Sequence, residues 1–198
     1  MINAFSSGFA LGLSFILAIG AQNAFVLKQG LRRSNVFAIC LTCAVSDAAL
    51  IAAGVAGFGW LATTIPEALI LVKWAGAAFL FVYGAMSLRA AINGGEALKA
   101  EGSTSTLAGA LLTCLALTWL NPHVYLDTLL LIGSISSQYD DRWAFGTGAA
   151  LASFVFFFSL GYGARLLAPM FEKPIAWRVL DLMICAVMWA IAVKLVLY

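Results

Sequence analysis

Long apolar runs, separated by short polar breaks, constrain this chain more than any other feature of its sequence. Six runs occur, at residues 4–27, 36–61, 68–92, 107–135, 143–167 and 177–198. Each is long enough to cross the roughly 30 Å hydrocarbon core of a bilayer as a helix. A membrane β-barrel would show short strands of alternating polarity instead. The sequence therefore predicts an all-α integral membrane protein with six transmembrane helices.

Charge and cysteine content argue against several other classes of protein. Only 10% of the residues are charged and the net charge is +2, which gives no basis for nucleic-acid binding. All four cysteines lie in apolar runs and are expected to be buried packing residues. The chain has a single histidine and neither an HExxH motif nor a P-loop. We therefore expect no enzyme, no metal centre and no cofactor.

The chain divides into two halves with similar patterns. Repeat 1 covers about residues 1–92 and repeat 2 about 107–198, joined by a polar linker at 93–106 within a single transporter domain, 1–198. "GFG" at 57–59 corresponds to "GYG" at 161–163, and Trp74 corresponds to Trp177. Three spans per repeat make the second copy enter the membrane in the opposite orientation, as in many secondary transporters. Chance similarity between Gly-rich, Trp-flanked helices is the alternative.

The distribution of basic residues predicts the orientation. The loops after the first, third and fifth segments carry eight Lys and Arg residues, against three on the opposite side. By the positive-inside rule these odd-numbered loops are cytoplasmic. Both termini of this multi-pass protein are then expected outside.

The first and fourth segments each contain a helix-breaking stretch. In "LNPHVY", residues 120–125, Pro122 interrupts a continuing helix but suits the start of a new one. Asn121 precedes it as a candidate N-cap. In "IGAQNAF", residues 19–25, Gly20 loosens the backbone, Gln22 supplies a polar side chain and Asn23 is a second candidate cap. We predict that helices 1 and 4 are interrupted near the midplane; a packing kink is the alternative for each.

Ionisable residues inside the apolar runs are the second pointer to a site. Asp47 lies in the middle of the second run, and an intramembrane carboxylate usually faces a cavity or a partner. Lys28 is its candidate partner or a gating residue at the cytoplasmic mouth. Asp127 and His123 are four residues apart and share a helix face. Asp181, four residues into the last run, is expected at the interface.

These features together predict a substrate site near the midplane. Half-helix N-termini carry partial positive charge that favours a carboxylate, while Asp47 or Asp127 can receive a cation. A zwitterionic amino acid fits this chemistry. The predicted substrate-binding residues are Gln22, Asn23, Asp47, Asn121, Pro122, His123 and Asp127.

Three stretches resemble a known family: "GAQNAFVLKQGLRRSN", "CAVSDAALIAAGVAGFG" and "TWLNPHVYLDTLLLIGS". They are similar to the signature regions of the lysine exporter (LysE) family, and most closely to its branch of basic amino-acid exporters. The resemblance implies a bacterial inner-membrane protein that exports L-arginine, L-lysine or both. It also implies that Gln22, Asn23, Asp47, Asn121, Pro122 and Asp127 belong to the transport region.

The expected mechanism is secondary transport by alternating access. Export of a cation against an inside-negative potential requires about 2.3 kcal/mol per charge per 100 mV, so a coupled ion is expected, with proton antiport the first choice. The alternative within the same superfamily is an exporter of neutral amino acids or metal cations. The lipid bilayer is the expected surrounding, and assembly into homo-oligomers is left open.

Overall fold

A computed structural model describes residues 1–17, 20–58, 66–93 and 106–197. These residues form helices without any β-strand in the described ranges, as the apolar runs predict. Most of the predicted linker lies outside the described residues. The helices are α1 (Ile2–Ile16), α2 (Ala21–Leu31), α3 (Val36–Ala53), α4 (Pro66–Asn93), α5 (Leu107–Trp119), α6 (Pro122–Ser136), α7 (Arg142–Gly163) and α8 (Pro174–Leu197).

Four of these helices are long and apolar enough to cross a membrane individually. They are α3, α4, α7 and α8, where α7 is extended by a 3-10 segment, Ala164–Glu172. The pairs α1–α2 and α5–α6 are each bent at a short break. If each pair forms one span, the number of candidate membrane spans rises to six. The structure thus has four to six candidate spans, which includes the predicted six.

Close helix approaches depend on small residues. A Cβ on Gly8 of α1 would overlap the backbone of Phe145 on α7, and one on Gly148 of α7 would overlap that of Phe5 on α1. On the far side of the molecule, Trp189 of α8 packs on Gly84 of α4. Such contacts let membrane helices gain van der Waals packing where no hydrophobic force drives them together.

The core is centred on α3. Cys40 and Cys43 of α3 and Cys114 of α5 are fully buried, as predicted for packing residues. The Cys43 Sγ lies 3.1 Å from the Cys114 Sγ. Apolar side chains on α4 and α8 remain exposed, including Phe81, as expected of faces that meet lipid.

A kink and a π-helical segment lie where α3 and α6 meet. The kink is in Gly54–Phe58, which follows α3 and where Gly57 has a φ of 98°, and the π-helical segment is Leu126–Ile132 within α6. Gly54 lies directly against the backbone of Thr128, and Gly133 lies against Gly54. Widened helical turns such as Leu126–Ile132 are common near functional sites, and this one packs α6 beside α3.

Contacts between helix ends show which ends lie together. Met1 and Asp141, which precedes α7, line the same surface cavity, and Trp74 near the start of α4 shares another with Val196 near the end of α8. At the other end of the helices, Arg32 after α2 stacks over Trp177 at the start of α8. The α1–α2 pair therefore runs from the end that holds Met1 to the end that holds Trp177.

Candidate functional site

The first break separates α1 from α2. Helix α1 ends at Ile16, α2 begins at Ala21, and their axes differ by 83°; residues 18 and 19 of the break lie outside the described residues. Gly20, with φ −120° and ψ 167°, is the N-cap of α2 and supplies no side-chain cap. Asn23 instead donates from Nδ2 to the Ile16 carbonyl oxygen at 2.8 Å. The prediction that Asn23 caps the new helix was wrong, because its amide satisfies the open carboxyl end of the old one.

The second break separates α5 from α6, whose axes differ by 60°. Asn121 is extended, and its Oδ1 accepts a hydrogen bond from the His123 backbone N–H at 3.1 Å. Pro122 occupies the first turn of α6, where its missing N–H has no helical partner to lose. The Tyr125 hydroxyl donates to the Trp119 carbonyl oxygen at 2.7 Å and ties the two half-helices together. The predicted cap and the predicted break are both confirmed here.

A cavity of about 410 Å³ lies between the two breaks. Its volume falls within the range of roughly 300–1,000 Å³ typical of small-molecule sites. Apolar side chains, such as Phe15 and Phe157, form part of its wall. Six of the seven predicted site residues line it: Gln22, Asn23, Asp47, Asn121, His123 and Asp127. Pro122 does not line the cavity. It affects the site by favouring the start of α6 at this position.

Asp47 is the most deeply buried acid of the cavity. It is 7% exposed, and its Oδ2 accepts a hydrogen bond from the Ser153 hydroxyl of α7 at 3.0 Å. Lys28, the partner considered from the sequence, pairs with Asp181 instead. Asp47 therefore presents a carboxylate to the cavity, with a hydroxyl group as its described hydrogen-bond donor. Nothing in the sequence indicates that Ser153 contacts Asp47, since the two residues are 106 positions apart.

The acid at the other end of the cavity is Asp127. It is half-buried on α6, close enough to His123 and to Lys194 of α8 for electrostatic interaction. The predicted sharing of a helix face by His123 and Asp127 is borne out by their common cavity. Lys194 is exposed and completes the lining near the end of α8. Sequence reasoning missed Lys194 because its position near a helix end is equally typical of a snorkelling lysine.

A buried ion pair outside the cavity lining joins α2 to α8. Lys28 Nζ lies 2.5 Å from Asp181 Oδ1, and their side chains are 9% and 2% exposed. Asp181, which the sequence predicts near the membrane interface, is buried where the first turns of α8 pack against α2. Arg32 lies near this pair and stacks over Trp177, 5.9 Å from the ring centroid.

The cavity can hold groups of both charges. The described lining includes the acids Asp47 and Asp127 and one lysine, Lys194, and thus has one more carboxyl group than amino group. The N-terminal end of α6 lies at the cavity, where the positive end of the helix dipole favours an anion. A ligand with a carboxylate at one end and a cation at the other matches this arrangement. The described residues contain no group of three or more metal-ligating side chains.

Comparison with known proteins finds relatives that are similar to this chain over most of their length. The family model for the LysE type translocator matches residues 13–198. A protein of Mycobacterium bovis, named provisionally as an amino-acid transporter, is 45% identical over 178 residues, which are 89% of each chain. The arginine exporter protein ArgO of Salmonella typhimurium is 43% identical over 199 residues, covering 98% of this chain and 94% of that protein. No solved structure matches the chain.

Proposed function

Because this chain belongs to the LysE-type translocator family, we propose that it exports L-arginine, L-lysine or both from the bacterial cytoplasm as a secondary transporter. Its family consists of transporters and not enzymes, and its relatives include arginine exporters. The observation that carries the choice of substrate is the cavity between the two broken helices. It combines two carboxylates with amide side chains and a helix N-terminus, which suits an amino acid with a cationic side chain.

In the proposed binding mode the substrate spans the two breaks. Its α-carboxylate lies at the N-terminal end of α6, near the amides of Asn121 and Gln22. Its cationic side chain lies against Asp47, and its α-ammonium group lies nearer Asp127. Hydrogen bonds to charged groups contribute about 1.5–3 kcal/mol each. The contact of Asp47 with the side-chain cation would therefore supply much of the preference for basic over neutral amino acids, since neutral amino acids share the α-ammonium group.

The unequal packing of the two ends of the cavity supports alternating access as the mechanism. The cavity reaches the exposed Lys194 at one end. At the other end Phe25, Val26 and Lys28 of α2 are buried and separate the cavity from Arg32. We infer that this conformation is open to the outside, and that displacement of α2 opens the cavity to the cytoplasm.

The six-span arrangement and its orientation are part of the same proposal. Corresponding helices of the two halves pack on each other, α3 on α7 and α4 on α8, as a pseudo-two-fold axis between inverted repeats would require. Loop charges then place Arg32 and Arg165 in the cytoplasm and both termini outside the inner membrane.

Uptake into everted membrane vesicles tests the function. We expect vesicles with this protein to accumulate radiolabelled arginine or lysine above vesicles without it. Unlabelled arginine and lysine should compete, whereas homoserine and divalent metal ions should not. Uptake of labelled homoserine or of metal ions, with no uptake of a basic amino acid, would favour the other exporters of the superfamily.

A further inference from the structure

The ion pair between Lys28 and Asp181 lies on the proposed route of the substrate. Lys28 is seven residues after the start of α2 at Ala21, or roughly 10 Å along the helix axis from the cavity. The pair joins α2 to α8 and is almost completely buried. Charges this far from water are unfavourable unless paired, so any movement that separates α2 from α8 must supply Asp181 with another cation.

Arg32 adds a second cation to this cluster. It lies near Asp181 and Tyr83, and its guanidinium group is held over the ring of Trp177. Among the described residues the cluster thus has two cations and one carboxylate. A group that carried both a cation and a carboxylate could replace Lys28 at Asp181 and place its carboxylate near Arg32.

We propose that Asp181 is a binding site for the cationic side chain of the exported amino acid, and that Lys28 fills this site while the inner end is closed. The inference rests on the proposed function, because it takes a basic amino acid as the substrate. The Lys28 ammonium group is the same chemical group as the side-chain end of free lysine and has the charge of an arginine side chain. Replacement of the Lys28 ammonium group at Asp181 by the side-chain cation of the substrate leaves the charge of the cluster unchanged. A neutral amino acid cannot make this exchange, so the inner end opens readily only to a basic one.

Three variants test the proposal by arginine uptake into everted vesicles, whose outer surface is the cytoplasmic face. Lys28→Gln removes the ammonium group that competes with the substrate for Asp181. If Lys28 leaves Asp181 vacant about a tenth of the time, its loss lowers the half-saturating arginine concentration about tenfold. Asp181→Asn removes the site and should raise that concentration about 10- to 150-fold, the range for loss of a hydrogen bond to a charged group.

The charge-exchange variant Lys28→Asp with Asp181→Lys separates this proposal from a simple lock between helices. It keeps an ion pair but places a cation where the substrate's cation should bind, so its uptake should stay as poor as that of Asp181→Asn. Restored uptake, or equal impairment of Lys28→Gln and Asp181→Asn, would show that the pair only holds the helices together. Lys173→Gln and Asp140→Asn, at exposed positions, are the charge-matched controls.

A labelling experiment on the unaltered protein covers the case in which a variant fails to fold. Arginine on the cytoplasmic face should increase the modification of Lys28 by an amine-reactive reagent, measured by mass spectrometry relative to Lys173. Homoserine should leave it unchanged. No response to arginine, or an equal response to both, would overturn the proposal, whereas absence of arginine and lysine uptake by the unaltered protein would instead refute the proposed function.

Discussion

Asp47 is the residue on which recognition of the substrate is expected to depend most. Asp47→Asn keeps the shape of the side chain and removes its charge, so the cation loses its buried counter-ion. Loss of a hydrogen bond to a charged group costs about 1.5–3 kcal/mol, or roughly 10- to 150-fold in the efficiency of arginine export. Radiolabelled uptake into everted vesicles measures this change.

The exposed Asp140→Asn provides the matched control for Asp47→Asn, since it removes the same charge outside the cavity. Ser153→Ala should cause a smaller loss, because it removes a neutral hydroxyl donor from Asp47 and leaves the carboxylate in place. Normal export by a well-folded Asp47→Asn protein would reject Asp47 as a substrate ligand.

Single residues also show what could be predicted from the sequence. Asp47 and Asn121 were identifiable because a carboxylate or an Asn-Pro pair is unusual inside an apolar run, and both line the cavity. The partners of Lys28 and Asp47 were not identifiable, because Asp181 and Ser153 are distant in sequence and ordinary in context. Residue type indicates that a buried charge needs a partner, and only the packing of α2, α7 and α8 shows which residue it is.

At the level of helices, the Asn121 cap is expected to fix the geometry of the second break. Asn121→Ala removes the acceptor for the His123 N–H, and loss of an N-cap costs about 0.5–2 kcal/mol. Because this cap also lines the cavity, arginine export should fall together with thermal stability. Thr106→Ala removes a comparable cap, the acceptor for the Gly109 N–H at the exposed start of α5, and should lower stability alone. Equal effects of the two variants on export would contradict a role of Asn121 in the site.

The packing of α1 against α7 makes a second prediction about helices. Gly8→Ala places a Cβ against the Phe145 carbonyl oxygen, and overpacking of this kind costs about 1–3 kcal/mol. The melting temperature of the purified protein in detergent should fall accordingly. Gly163→Ala is the control, since no atom lies within 4 Å of its added Cβ. A melting temperature of Gly8→Ala equal to that of the unaltered protein would show that α1 can move away from α7 at no cost.

The two helix breaks illustrate how far local sequence determines these elements. Pro122 has a fixed backbone preference, and the second break falls where it predicts. At the first break Gly20 has an extended backbone that any residue can adopt, and it offers no side-chain cap, so the role of Asn23 was not predictable. Neither the kink in Gly54–Phe58 nor the π-helical segment Leu126–Ile132 was indicated by the sequence. They arise where α3 and α6 approach closely, which is a property of the packed molecule.

For the whole molecule, the charge of the cavity suggests how export is driven. With both acids ionised, the Asp and Lys side chains of the described lining sum to one negative charge, and a basic amino acid carries one net positive charge. A single proton on Asp47 or Asp127 would neutralise the empty cavity equally well. Exchange of one proton for one amino acid keeps the cavity neutral in both directions and moves no net charge across the membrane.

One-to-one exchange predicts that a pH gradient, and not a membrane potential, drives arginine into everted vesicles. An acidic lumen should drive accumulation, and a protonophore that collapses the gradient should abolish it. A lumen-negative potassium diffusion potential, set with valinomycin at equal pH, should cause none. Movement of arginine alone would respond to that potential by about 2.3 kcal/mol per 100 mV, or roughly 50-fold accumulation. Accumulation of that size at equal pH would exclude proton exchange and show that arginine crosses as an uncompensated cation.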